Sequence, residues 1–488
     1  MVSDLLARSV STAPRRAALT AARRGVRYAP GTLLIAAVAG VLALSLGAGG
    51  VPGAVPAGGG LTVDDVTSKA FGQHAPGLPI GELRHFTIGN RLFNTNWVTA
   101  PASVRSLDGL GPYFNRVSCS ACHVRDGRGR PPAGPEAPMM SMLVRLSVPG
   151  PEGTAVPHAI YGEQLSDRAV EGLAPEGRAA LSWEPADPFV YADGSAVPLR
   201  RPRLDFVEMS HGPLGPQAMT SARVANAVFG LGLLEAVPEA HVVARADPHD
   251  ADGDGVSGRV NRVWDHDAQA HALGRFGWKA NQPTLRQQAA AAMAGDVGVT
   301  SEHFADGNYT AAQTQAAALP DGADEQGVEL SRKQLDRMTF YLQTLAVPAR
   351  RRTQDPVVQR GEQLFAAAGC NACHTPVMRT GDTAAHRVLE GQTFAPYTDL
   401  LLHDMGPGLA DARPDGLASG REWRTAPLWG LGLQERVSGH TFLLHDGRAR
   451  NAEEAVLWHG GEAQGARDRF ASWPAEDRAA LLAFLDSL

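Results

Sequence analysis

The stretch VVQRGEQLFAAAGCNACH, residues 357–374, runs from a helix into chemistry without a break. Val357, Gly361, Leu364, Phe365 and Ala368 recur at the spacing of one helix face. That helix leads directly into Cys370-Asn371-Ala372-Cys373-His374, so its end presents two thiols and an imidazole together. Cys-x-x-Cys-His is the pattern of covalent haem attachment. Two thiols three positions apart each form a thioether to a haem vinyl group, and the adjoining imidazole stands under the iron as proximal ligand.

A second unit, Cys119-Ser120-Ala121-Cys122-His123, uses the only other cysteines of the chain. A zinc ribbon separates its Cys pairs by roughly 15–20 residues, whereas 247 residues lie between these two. Thioredoxin-like motifs need no following histidine, and a disulfide framework would bring further cysteines. Two haems c are therefore the expected cofactors, one on Cys119, Cys122 and His123 and one on Cys370, Cys373 and His374. His123 and His374 are the proximal iron ligands.

Outward from these units the chain repeats itself. Phe86, Gly89, Leu92 and Phe93 precede the first unit much as Gly361, Leu364 and Phe365 precede the second, with a longer loop between. MSHGP (209–213) is matched by HDMGP (403–407), RVANAVFGLGL (223–233) by RTAPLWGLGL (424–433), and FYLQTL (340–345) by AFLDSL (483–488). VPARRRTQDP (347–356) reads as a linker between the halves. The expected fold class is mainly α, with two cytochrome c-like haem units, the first enlarged by a loop-rich insertion. Residues 61–346 form the first unit and 356–488 the second.

Residues 1–60 carry targeting information. Six arginines against one acid in the first thirty residues precede a charge-free apolar run, 31–48. That order marks an export signal, and the run is near the ~18-residue threshold of a membrane span, so cleaved signal and retained anchor both fit. Either places the body outside the cytoplasm, in the periplasm or an equivalent space. Taking this +5 from the whole-chain −6 leaves −11 on the remainder. An acidic body excludes nucleic acid as a partner and suits a basic redox protein.

The sixth ligands are open from sequence. His403, Met405, His440, His445 and His459 follow His374, and Met139, Met140, Met142, Met209 and His211 follow His123. An imidazole or a thioether locks a haem for electron transfer, and an open position admits peroxide. Glu235, in GLLEAVP after the repeated Gly-Leu string, is a candidate catalytic proton donor. Asp250, Asp252 and Asp254 alternate before Gly255 as in the first half of an EF-hand calcium loop, although position twelve is Asn261 rather than Glu. No nucleotide-binding glycine loop, zinc-protease motif or hydrolase nucleophile elbow occurs. The chemistry falls to the haems.

With these features assembled, the chain resembles the di-haem oxidoreductase family often labelled "thiol oxidoreductase", over nearly everything after residue 60. The carriers are GLGPYFNRVSCSACHVRDGRGRPP (109–132), VFGLGLLEAVPEAHVVARADPHDADGDGVSGRVNRVWD (228–265), LGRFGWKANQPTLRQQ (273–288), YTDLLLHDMGPGLAD (397–411) and HDGRARNAEEAVLWHGGEA (445–463). More distantly, the C-terminal part is similar to bacterial di-haem cytochrome c peroxidases and MauG-like proteins, where a helix after an HDG string carries Met or Tyr as sixth ligand. His459 stands at that place here, which implies a bis-histidine second haem. The resemblance implies an oxidoreductase passing electrons through one haem to peroxide or another substrate at the other; the alternative is a non-enzymatic electron carrier with both irons six-coordinate. No cysteine is left for thiol chemistry.

Overall fold

The computed structural model describes residues 55–488, so the export signal or anchor expected within residues 1–60, including the apolar run 31–48, lies almost wholly outside the described residues. Among the described residues no helix is long and apolar enough to cross a membrane. The main helices are α1 (Ile80–Asn94), α2 (Leu285–Ala292), α3 (Arg332–Gln343), α4 (Pro356–Ala367), α5 (Ala452–Trp458) and α6 (Ala475–Ser487). Their starts are written in the sequence. Ser331 and Gln334 form a capping box on α3, Asp355 caps α4 ahead of Pro356, and Asn451 accepts from Glu454 N at the start of α5.

The repeat is visible in which residues must be glycine. Gly89 on α1 lets that helix approach α3 so closely that an added Cβ would meet the Arg337 carbonyl and Tyr341 Cβ. Gly361 on α4 does the same against the Ala480 carbonyl and Phe484 Cβ of α6. Four residues on, Phe93 reaches both Tyr341 (5.4 Å between ring centroids) and His123 (6.0 Å), while Phe365 reaches both Phe484 (5.2 Å) and His374 (6.3 Å). One helix pair, one glycine contact and one phenylalanine thus hold each CxxCH histidine.

The Gly-Leu strings meet each other. Gly230 and Gly430 both take left-handed backbone, φ 70° and 71°, and a Cβ on Gly230 would strike Trp429 while one on Gly430 would strike Phe229. Gly232 abuts the Gln343 carbonyl and Gly432 the Asp486 carbonyl, which are matched positions of FYLQTL and AFLDSL. Phe229 and Trp429 therefore lie between the halves, in a core shared with Phe71, Phe394 and Leu433.

Two expectations change. The insertion in the first half is built on strands: β1 (Met142–Pro149) pairs antiparallel with β4 (Met219–Val224), and β2 (Arg178–Val190) pairs with β3 (Ala196–Val207) in a long hairpin. Pro185, Pro188, Pro198 and Pro202 lie in this hairpin, and a two-stranded ribbon has only edge strands, which tolerate proline. The 347–356 segment is not a free linker. Val347 and Pro348 are buried in a parallel pairing with Thr62 and Val63, and Arg350 pairs with Glu362 at 2.9 Å. Residues 55–488 accordingly form one compact unit in which the two halves share their core.

Candidate functional site

Both CxxCH units open on one cavity of about 980 Å³. Cys119–Cys122 form a single helical turn, and Cys370–Ala372 form a 3₁₀ turn entered through Gly369 at φ 81°. The four thiols are unpaired. Burial pushes Cys119, Cys122 and Cys370 up to about 12, so these are not thiolates at neutral pH and are poorly suited to thiol redox catalysis.

Three histidines on the cavity wall share one orientation device. His123 Nδ1 meets the Asn226 carbonyl at 2.6 Å, His374 Nδ1 meets the Tyr397 carbonyl at 2.9 Å, and His459 Nδ1 meets the Ala455 carbonyl at 2.6 Å. A carbonyl requires a proton on Nδ1, which leaves the Nε2 lone pair free. Burial depresses the pKa of all three and takes His374 to about 4, so the rings are neutral. His459, Asp399 and His403 lie near His374, and the Asp296 carboxyl lies near His123.

The remaining ligand candidates separate. His403 is committed elsewhere: Nε2 donates to Asp399 at 2.8 Å and Nδ1 to Glu462 at 2.7 Å. Burial opposes its charge, but hydrogen bonds to Asp399, Cys373 and Glu462 outweigh burial and push it up to about 12. An imidazolium has no lone pair for iron. His211 is exposed and does not line the cavity, Met140 is exposed, and Met209 packs against Gly177. Met139 is buried in a core centred on β1, and His440 Nε2 donates to the Arg128 carbonyl at 3.1 Å. Met142, Met405 and His445 do line the cavity, with His445 flat on Trp423 at 3.7 Å.

The family model described as "Di-haem oxidoreductase, putative peroxidase" matches residues 54–147 and 163–488. The chain belongs to the di-haem oxidoreductase family. No curated protein matches it. Oxidoreductase chemistry with haem is therefore the class of activity, and the residues present fit two haems. Beyond the two CxxCH units and the free Nε2 atoms, the cavity of this di-haem oxidoreductase holds cations lacking carboxylate hydrogen-bond partners. Arg128 has a buried Nε with no hydrogen-bond partner, and Arg424 donates only to the Gly277 and Thr425 carbonyls. Burial lowers both to about 10. The Asp446 and Asp399 carboxylates act on Arg128 and Arg424 without hydrogen-bonding to them.

Glu235 stands apart from the cavity of the CxxCH units. It accepts from Leu285 N at 2.7 Å and from Gln343 Nε2 at 2.6 Å, tying the repeated Gly-Leu turn to α2 and α3, and it lines a separate cavity with Arg275. Glu235→Gln, whose amide would face the Gln343 amide, is expected to cost about 1–3 kcal/mol of stability and leave turnover per haem unchanged. Urea unfolding beside steady-state kinetics checks both.

Sequence reasoning missed Asp296, which lines the haem cavity together with Asp254 and Glu462. It lies in a π-helical turn, Met293–Val297, that continues α2. Its carbonyl accepts from Asn115 N at 2.8 Å and Arg116 N at 3.0 Å, and Oδ1 accepts from Gln164 Nε2 at 2.8 Å. Burial raises its pKa above the usual carboxylate range. Only an acid at the close of an alanine-rich helix, just past LRQQ, hinted at it. In the aspartate loop, carboxylate oxygens of Asp250 and Asp252 gather with that of Asp247, all within 4.8 Å, in place of the expected Asp254.

Proposed function

We propose that the chain is an exported di-haem c-type cytochrome that reduces peroxide with electrons from a protein donor. One observation carries the reading: a single cavity holds two unlike sites, with His459 beside His374, where the Asp399 carboxylate is already paired with His403, and the Asp296 carboxyl beside His123. A site with two imidazoles suits electron passage, and a site with one imidazole and a proton source suits peroxide.

When bound, haem supplies one-electron redox chemistry at iron. The residues of the chain do the rest. Cys119 with Cys122, and Cys370 with Cys373, anchor the two groups, and His123 and His374 present neutral Nε2 atoms. His459 presents a third Nε2 at the second site. Arg128 and Arg424 would meet the propionates, and Phe71, Phe93 and Phe229 line the cavity. Asp296, a buried carboxyl with a raised pKa whose Oδ1 accepts from Gln164, is the acid of the first site that would protonate the leaving oxygen of peroxide.

Export through residues 1–48, as cleaved signal or membrane anchor, places the acidic body in the periplasm, where a basic redox protein is the fitting donor. Calcium belongs to the same reading: Asp247, Asp250 and Asp252 hold a cation that relieves their crowding. Chelation is expected to lower the melting temperature by about 2–4 °C. Identical melting with and without chelator, and no calcium in elemental analysis, would remove this element.

Peroxide titration of the purified holoprotein, followed by visible absorption, tests the function. One haem should respond at stoichiometric peroxide and return on adding an electron donor. Two low-spin haems inert to peroxide would make the protein an electron carrier instead.

A further inference from the structure

The tip of a long hairpin belongs in solvent, and Ala192–Ser195 of the β2–β3 turn are exposed, yet Tyr191 at its start is buried in the other half of the molecule. Tyr191, first residue of the turn, is 4% exposed and joins the core formed by Leu364, Phe365, Leu457 and Phe470. Its hydroxyl donates to Glu453 Oε1 at 2.9 Å across 262 residues of sequence. The Arg478 guanidinium lies over its ring at 3.8 Å and donates to Asp193 Oδ2 at 2.8 Å. Lower on the ribbon, Arg450 donates to the Pro198 carbonyl at 2.6 Å, and Arg200 donates to the Arg448 and Gly447 carbonyls at 3.0 and 3.2 Å.

These contacts converge on α5. Glu453 lies in its first turn, Arg450 pairs with Glu454 at 2.6 Å just before it, and the residue that ends it is His459. A helix of seven residues is too short to hold itself, so its place is set by what packs around it. Here that packing includes a ribbon inserted in the first haem unit.

We propose that the 178–207 hairpin is a clasp through which the first haem unit positions His459, with Tyr191 and Asp193 as positioning residues. The proposal rests on reading His459 as the ligand opposite His374. Loosening the clasp leaves His459 attached to the chain but more often away from iron, and the apparent affinity of any competing ligand rises with that open fraction.

The test is a cyanide titration of the full-length holoprotein, read by visible absorption beside a melting curve. The first, tight phase belongs to the open haem; the second, weak phase is cyanide displacing His459, and it should become tight in His459→Ala. Tyr191→Phe keeps the ring and its packing but removes the hydroxyl, and Asp193→Ala removes the exposed partner of Arg478. Each is expected to tighten the weak phase about tenfold and leave the tight phase unchanged, with Asp193→Glu restoring the wild-type value. A weak phase unmoved in both variants, with or without a fall in melting temperature, would overturn the clasp while His459→Ala still vindicates the ligand. An unchanged titration in His459→Ala would remove the ligand assignment, and the clasp with it.

Discussion

Asp296→Asn is expected to slow peroxide turnover by about 10²–10⁴-fold with both haems still attached. The side chain is nearly isosteric. Its carbonyl oxygen can still accept from Gln164, and the backbone carbonyl of residue 296 still holds Asn115 and Arg116. What is lost is a releasable proton on the second oxygen. The wild-type rate should fall as pH rises through the raised pKa of Asp296, because the proton-donating form disappears, and the variant should lose that limb. Stability moves in the same direction. A carboxyl whose folded pKa is raised contributes fully below its unfolded value, and that contribution is lost as pH rises through the folded pKa. Denaturant titrations from acid to neutral pH should therefore be flatter for Asp296→Asn. A variant with wild-type turnover would place the proton source elsewhere, and His445 would be the next residue to replace.

The second large effect is expected from His459→Ala, which should convert one of the two haems from low spin to high spin and leave both attached. The Ala455 carbonyl fixes Nδ1 and frees Nε2, and burial keeps the ring neutral, so the imidazole is prepared to ligate. Removing it should raise the midpoint potential of that haem, since a second imidazole lowers it. Met405 is the rival, on the same cavity wall. If Met405→Ala makes the spin change and His459→Ala does not, the second site has a thioether ligand and a high potential.

What could be read from the sequence was what repeats. The CxxCH units, Gly89 and Gly361, Phe93 and Phe365, and the paired Gly-Leu strings recur in order, and in the structure each pair makes the same contact. Local spacing sufficed there because glycine and aromatic packing depend on helix register. The rest depends on partners distant in sequence. His403 looked like a ligand until Asp399 and Glu462, the latter 59 residues away, took both ring nitrogens. Glu235 followed a telling string but turned to Leu285 and Gln343. Asp296 carried no motif because its role comes from burial beside the first CxxCH unit. The hairpin was hidden by its prolines, and nothing around Tyr191 in the sequence marks it as a residue that packs on α5.

The central claim is that this chain holds two haems through its four cysteines, and the intact mass of the purified protein after denaturation and acid-acetone extraction tests it directly. The expected mass is that of the mature polypeptide plus two haems, falling by one haem when Cys370 and Cys373 are both replaced by Ala. A bare polypeptide mass, with the haem in the acetone layer, would contradict it.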